Sequence, residues 1–105
     1  MNIEDMQALY GKARKAIEDW LENEENQKKI TNRIAPKYLK SLKDLKFKND
    51  TITLIWSGLD YEKYNISVRV FFLGQGDVEL VDFHYVEDME GNQINSKIYF
   101  FKIFD

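Results

Sequence analysis

The chain has 105 residues, a formal net charge of −3, 44% hydrophobic residues and no cysteine. A chain of that length makes one domain and buries roughly two-thirds of its unfolded surface. The missing thiols exclude disulfides, thiolate metal sites and cysteine nucleophiles.

In chain order, the first pattern is helical. Ile3, Met6, Leu9, Tyr10, Ala13, Ala16, Ile17, Trp20 and Leu21 fall on one arc of roughly 140° at helical spacing. Asn2 suits an N-cap, and Glu4 and Asp5 suit the positive end of the helix dipole. Asn23 to Lys29 is polar and reads as a solvated extension or a loop. A second helical arc, Ile34, Ala35, Tyr38, Leu39, Leu42 and Leu45, predicts a helix from about Pro36 to Asp44, with the proline in its first turn.

From Phe47 the period becomes two. Ile52, Leu54 and Trp56 form one strand, and Ile66, Val68, Val70 and Phe72 a second. Gly74-Gln75-Gly76-Asp77 is a hairpin turn into a third strand. Glu90-Gly91-Asn92 turns into a last strand, Lys97 to Phe104. In the third strand the alternation slips between Leu80 and Val81, where a β-bulge would restore both faces and curl the sheet. The expected fold is α+β: two N-terminal helices (region 1–46) packed on one face of a four-stranded antiparallel meander (47–105), curled by that bulge.

Such a sheet should be polar on its other face. Here Ile55, Phe71 and Leu73, joined by Tyr99, Phe101 and Ile103 or by their neighbours Ile98, Phe100 and Phe104, make a second apolar set, either buried by curling or available for self-association, with a homodimer as one outcome. A curled sheet could also hold a small-ligand pocket against the helix, lined by Trp56, Tyr85 and Tyr99, in a layout that resembles cystatin-like or NTF2-like folds.

Charge is segregated. Residues 28–48 hold eight bases and one acid, while residues 49–105 hold ten acids and four bases. Arg33, Lys37, Lys40 and Lys43 would line the outer face of the second helix. That face could track phosphates, but a net acidic chain with three arginines favours a solvated lysine surface over nucleic acid. Asp77, Glu79, Asp82, Glu87, Asp88 and Glu90 follow the third strand and its exit turn, as an acidic surface for a basic protein partner. Tyr61 and Tyr64 add interface aromatics, and His84 on the third strand belongs to this partner-binding set. His84 beside Asp82 could be an oriented base, but no motif supplies a nucleophile, and one histidine without cysteine builds no transition-metal site. We therefore expect no catalytic residue, metal or cofactor.

No apolar run reaches the roughly 18 residues of a bilayer span. The opening Met1-Asn2-Ile3-Glu4-Asp5 has neither a basic nor an apolar leader region. Lysine exceeds arginine twelve to three, a bias of AT-rich coding. The expectation is a cytoplasmic protein of a bacterium or a phage-infected cell. Its function class would be a non-enzymatic protein-binding module, such as a toxin-immunity or anti-defence inhibitor that occludes its target.

Overall fold

The structure is a computed structural model that describes residues 1–56 and 62–101. It comprises helix α1 (Ile3–Leu21), helix α2 (Glu24–Arg33), and strands β1 (Lys46–Trp56), β2 (Tyr64–Leu73), β3 (Glu79–Asp88) and β4 (Gln93–Phe100). The strands pair antiparallel in the order β1-β2-β3-β4. This is the α+β meander the sequence predicts, although β4 begins at Gln93, four residues before the expected Lys97, and residues 102–104 of the expected strand lie outside the described residues.

Helix α1 begins at a reciprocal cap. Asn2 Oδ1 accepts from the Asp5 backbone N–H at 2.8 Å, and the Asn2 N–H donates back to Asp5 Oδ2 at 3.3 Å, which satisfies two orphan donors of the first turn. Leu9, Ala13 and Ile17, four residues apart, form the buried stripe. Ala13 is wholly buried, so its small side chain sets how closely the helix approaches the sheet. Against this stripe lie Val68, Val70 and Phe72 of β2 and Val81, Phe83 and Tyr85 of β3. Burying side chains such as Ile17, Phe72 and Phe83 stabilises the fold by about 1.5–3 kcal/mol each.

The second helix is not where the apolar arc puts it. It spans Glu24–Arg33, and the predicted stretch 36–44 holds turns and a short 3₁₀ segment, Leu42–Asp44. Two physical causes combine. Asn23 caps α2 by accepting from the N–H groups of Glu25 and Asn26, and Glu24 and Glu25 suit the positive end. Pro36 disfavours helix at the residue before it, and Ile34 already has extended backbone at φ −112°, ψ 126°. The junction between the helices is sealed by α2 side chains: Asn26 Nδ2 donates to the Trp20 carbonyl and Gln27 Nε2 to the Leu21 carbonyl. The apolar residues of 34–45 serve packing without helix. Ile34 and Leu39 join the core, with Tyr38, Leu42 and Leu45 against it.

The bulge falls where the alternation slips. Phe72 pairs with Val81 and Leu73 with Glu79, leaving Leu80 as the extra residue, so that Leu80 and Val81 are both fully buried. Two further irregularities appear. Asp50 and Thr51 of β1 lie opposite Arg69 alone, and Ile94 of β4 is extra between Gln93 and Asn95. These bulges do not roll up the sheet: it is not strongly curled, which corrects the expected curl. No helix among the described residues is long and apolar enough to cross a membrane.

Candidate functional site

Strand register sorts the functional candidates by face. Residues paired across strands share a face. Phe47, Ile52 and Leu54 therefore join Phe72, Val68 and Ile66 on the helix side. Lys48, Arg69, Phe71, Leu73, Asp82, His84 and Tyr99 share the other side, which neither helix covers.

The centre of this uncovered face is a charged cluster. Arg69 donates to Asp82 through two bonds, Nε to Oδ1 at 3.2 Å and Nη2 to Oδ2 at 2.6 Å, a forked geometry that lysine could not supply. Arg69 Nη1 also lies 3.7 Å from Asp50 Oδ2 on the β1 bulge. On the other flank, buried His84 Nε2 is 3.1 Å from Asp82 Oδ2, off the line of a good hydrogen bond. The His84 ring meets Tyr99 edge-on at 5.2 Å. Burial pushes the Asp82 carboxyl up, but Arg69 and His84 outweigh it and hold Asp82 below the usual carboxylate range. The same Asp82 bond pushes Arg69 up.

Aromatic residues flank the cluster. The Arg69 guanidinium stands over Phe71, 5.4 Å from its centroid, and Phe71 packs on Phe101 at 6.0 Å. Phe71 is buried under these contacts, and Leu73 is buried on the same face, without a covering helix. Ile55, Tyr99 and Phe101 stay 44%, 53% and 40% exposed. The second apolar set is thus interrupted by polar groups. Ile103 and Tyr61 lie outside the described residues.

The acids do not form one surface. Glu87 pairs with Ile66 in register and points to the helix side. There it is buried, 3.2 Å from Lys12 Nζ, and accepts from the Tyr85 hydroxyl at 2.9 Å. Burial first, then Glu87, pushes Tyr85 up to about 12. Asp88 closes the β3–β4 turn by accepting from the N–H groups of Glu90 and Asn92, and the Asn92 backbone bond leads in holding its carboxyl down. Asp77 lies 3.4 Å from Lys46. Glu79 and Glu90 remain exposed. On the uncovered face Asp50, Glu79, Asp82 and Asp88 share the side with Lys46, Lys48, Arg69 and Lys97, and Arg69 is ion-paired with both Asp50 and Asp82, so the face is of mixed charge where the sequence suggests acid. Tyr64 is half-buried against Trp56, with ring centroids 5.4 Å apart.

Arg33, Lys37, Lys40 and Lys43 do not line one helix face, because the helix expected there is absent. Arg33 lies 4.8 Å over the Phe100 ring and Lys37 lies over Tyr38. Lys40 and Lys43 border an open groove of about 470 Å³ with Lys46 and Gly74. Trp56, Tyr85 and Tyr99 share no cavity: Tyr85 is buried in the core, Tyr99 is on the opposite face, and Trp56 is half-exposed at the sheet's end. No group of His, Cys, Asp and Glu among the described residues could hold a metal ion.

Two features escape a reading of the sequence by segments. One is Arg69, whose partners Asp50 and Asp82 come from two other strands; counting the hairpin register back from Gly74 would have found Asp82. The other is a set of exposed apolar residues, Met1, Leu54 and Trp56, at the end of β1 beside the start of α1.

The Arg69–Asp82 pair has a pH signature. Asp82→Asn should cost about 1–2 kcal/mol at neutral pH, since a charge-assisted bond is lost but Arg69 is partly solvated. A carboxyl held below its unfolded value of about 3.9 stabilises the fold above that pH, and the contribution disappears as pH falls through the folded pKa. Urea midpoints of the wild type should therefore drop more steeply below about pH 4 than those of the variant. Parallel acid limbs would show that the pair contributes nothing.

No protein-family model, curated protein or solved structure matches the chain.

Proposed function

We propose that this chain is a non-enzymatic protein-binding module, acting as a small inhibitor that occludes its target in the cytoplasm of a bacterium or a phage-infected cell. The observation that carries the reading is the sheet face left bare by both helices, with Tyr99 and Phe101 exposed beside the Arg69–Asp82–His84 cluster. Exposed aromatics beside an arginine are the composition that interfaces favour. The forked Arg69–Asp82 bonds fix the centre of that face before any partner arrives, which lowers the ordering cost of binding. Occlusion asks for a surface and no chemistry, which fits a sequence without a catalytic motif. The toxin-immunity or anti-defence role is the kind of inhibition such a surface would serve.

Site-specific photocrosslinking in the native host tests this. A crosslinking side chain at Tyr99 or Phe101 should trap one and the same protein, while the same group at Lys15, on the exposed side of α1, should trap none. Equal capture from Lys15, or no adduct from either aromatic position, would count against the reading.

A further inference from the structure

The outer edge of β1 is built in two unlike halves. In the first half, α1 side chains occupy the backbone acceptors. Arg14 Nη2 donates to the Phe47 carbonyl at 3.2 Å and to Asn49 Oδ1 at 3.0 Å, and the Tyr10 hydroxyl donates to the Asp50 carbonyl at 2.9 Å. Lys46 and Lys48 add charge, and the Asp50–Thr51 bulge breaks the pairing line. These are the devices by which edge strands avoid other strands.

Among the described residues, the second half, Ile52–Trp56, has none of them. It carries no charged side chain. Its ladder partners are Val68 to Tyr64 of β2, and no side chain among the described residues bonds to its backbone. Leu54, Ile55 and Trp56 are 41%, 44% and 50% exposed, and they alternate between the two faces. Beside them Met1, Leu54 and Tyr64 line an open groove of about 440 Å³, with Asp5 and Lys12 on its α1 side. A bare, uncharged, apolar edge is a template for another strand.

We propose that Ile52–Trp56 pairs antiparallel with the same segment of a second copy, about a two-fold axis at Leu54. That register sets Leu54 against Leu54 and Ile52 against Trp56 on the helix side, and Thr53 against Ile55 on the other. Aromatic with β-branched residues is a favoured cross-strand pair, and no like charges are opposed. A chain of net charge −3 repels its copy at a distance, and the neutral segment is where contact costs least. The pairing is isologous and closes at two, whereas β1 on β4 would leave edges free and propagate. The opposite edge also carries Lys97 and the Ile94 bulge. Five residues a side with their neighbours bury on the order of 1,000 Å², near the lower limit of a specific interface, so the dimer should form in the micromolar range.

Light scattering over a concentration series from about 1 to 500 μM, spanning that range, reads the outcome. The mass should rise from the 12.5 kDa monomer to twice that value and stop. Leu54→Lys should weaken the dimer at least tenfold by opposing two lysines at the axis. Ile55→Lys, on the uncovered face and away from the core, should do the same while leaving the circular dichroism unchanged. Tyr99→Lys should leave the dimer intact. The proposal is overturned by a monomer at every concentration, by an open-ended mass series, by a dimer that survives both edge substitutions, or by one that Tyr99→Lys dissolves.

Discussion

Phe72→Ala is expected to lower stability by about 3–5 kcal/mol, the cost of a large aromatic removed from a closed core. Phe72 has no exposed surface. Its ring is met edge-on by Phe47 at 5.1 Å and Trp20 at 6.3 Å, and it lies nearly parallel to Phe83 at 5.9 Å. These neighbours come from β1, α1 and β3, so the cavity left by truncation opens where three elements converge and none can collapse alone. A domain of this size has about 5–15 kcal/mol in total, so the loss reaches a large fraction of the whole. Phe72→Leu, which keeps most of the volume, should cost less than half as much. Phe101→Ala, half-exposed on the uncovered face, should cost under about 1 kcal/mol. Urea midpoints report all three. A Phe72→Ala midpoint no lower than that of Phe101→Ala would mean that the helix–sheet core is not where stability resides.

Gly74→Ala is the second large effect, at about 2–3 kcal/mol, and its origin is not backbone conformation. Gly74 has φ −103° and ψ −157°, which any residue adopts. A Cβ there would overlap the Tyr38 carbonyl oxygen and come within 2.8 Å of Leu80 Cδ1. That carbonyl is held in place by the Gln75 N–H at 2.7 Å, while the Gly74 N–H donates to the Val78 carbonyl at 2.8 Å. Neither side can yield without breaking a hydrogen bond or displacing the bulged Leu80. Gly76 provides the contrast. Its φ of +72° favours glycine, yet nothing lies within 4 Å of the added atom. Gly76→Ala should therefore cost only the left-handed penalty of about 1 kcal/mol, and Gly76→Asn less. Thermal unfolding that ranks Gly76→Ala as the worse substitution would refute the close-approach account.

Elements whose period is sustained were legible in the sequence. The α1 stripe repeats over five turns, and β1, β2 and β3 alternate far enough to declare their faces, whereas β4 runs through unbroken apolar residues at its end and leaves both faces open. Even the Leu80 bulge was visible, because an extra residue in an otherwise strict alternation leaves two adjacent apolar positions. The second helix was hidden for the opposite reason. Ile30 is its only buried residue, so it has no stripe, and its signals are the Asn23 cap and two glutamates. Meanwhile Ile34, Leu39 and Leu42 imitate a stripe while packing as irregular chain. The site was less legible than the fold. Side-chain type announced Asp82 and His84 as polar residues of one strand. Only the register shows that Arg69 neutralises Asp82, that Glu87 turns inward to Lys12 and Tyr85, and that lysines from β1 and β4 share the face with the remaining acids.

The long sequence separation between α1 and its partners has a consequence for synthesis. Tyr10 and Arg14 bond to residues 33 to 40 positions later, and Lys12 to a residue 75 positions later. Each hairpin of the meander closes locally, but α1 leaves the ribosome before anything that covers its apolar stripe exists. At about 5–20 residues per second, several seconds pass before Glu87 emerges. Through that interval Leu9, Ile17 and Trp20 are bare on a nascent chain, as the kind of segment that chaperones hold. Slowing elongation between residues 22 and 87 should lengthen that exposure and lower the yield of folded protein without altering the stability of the molecules that do fold.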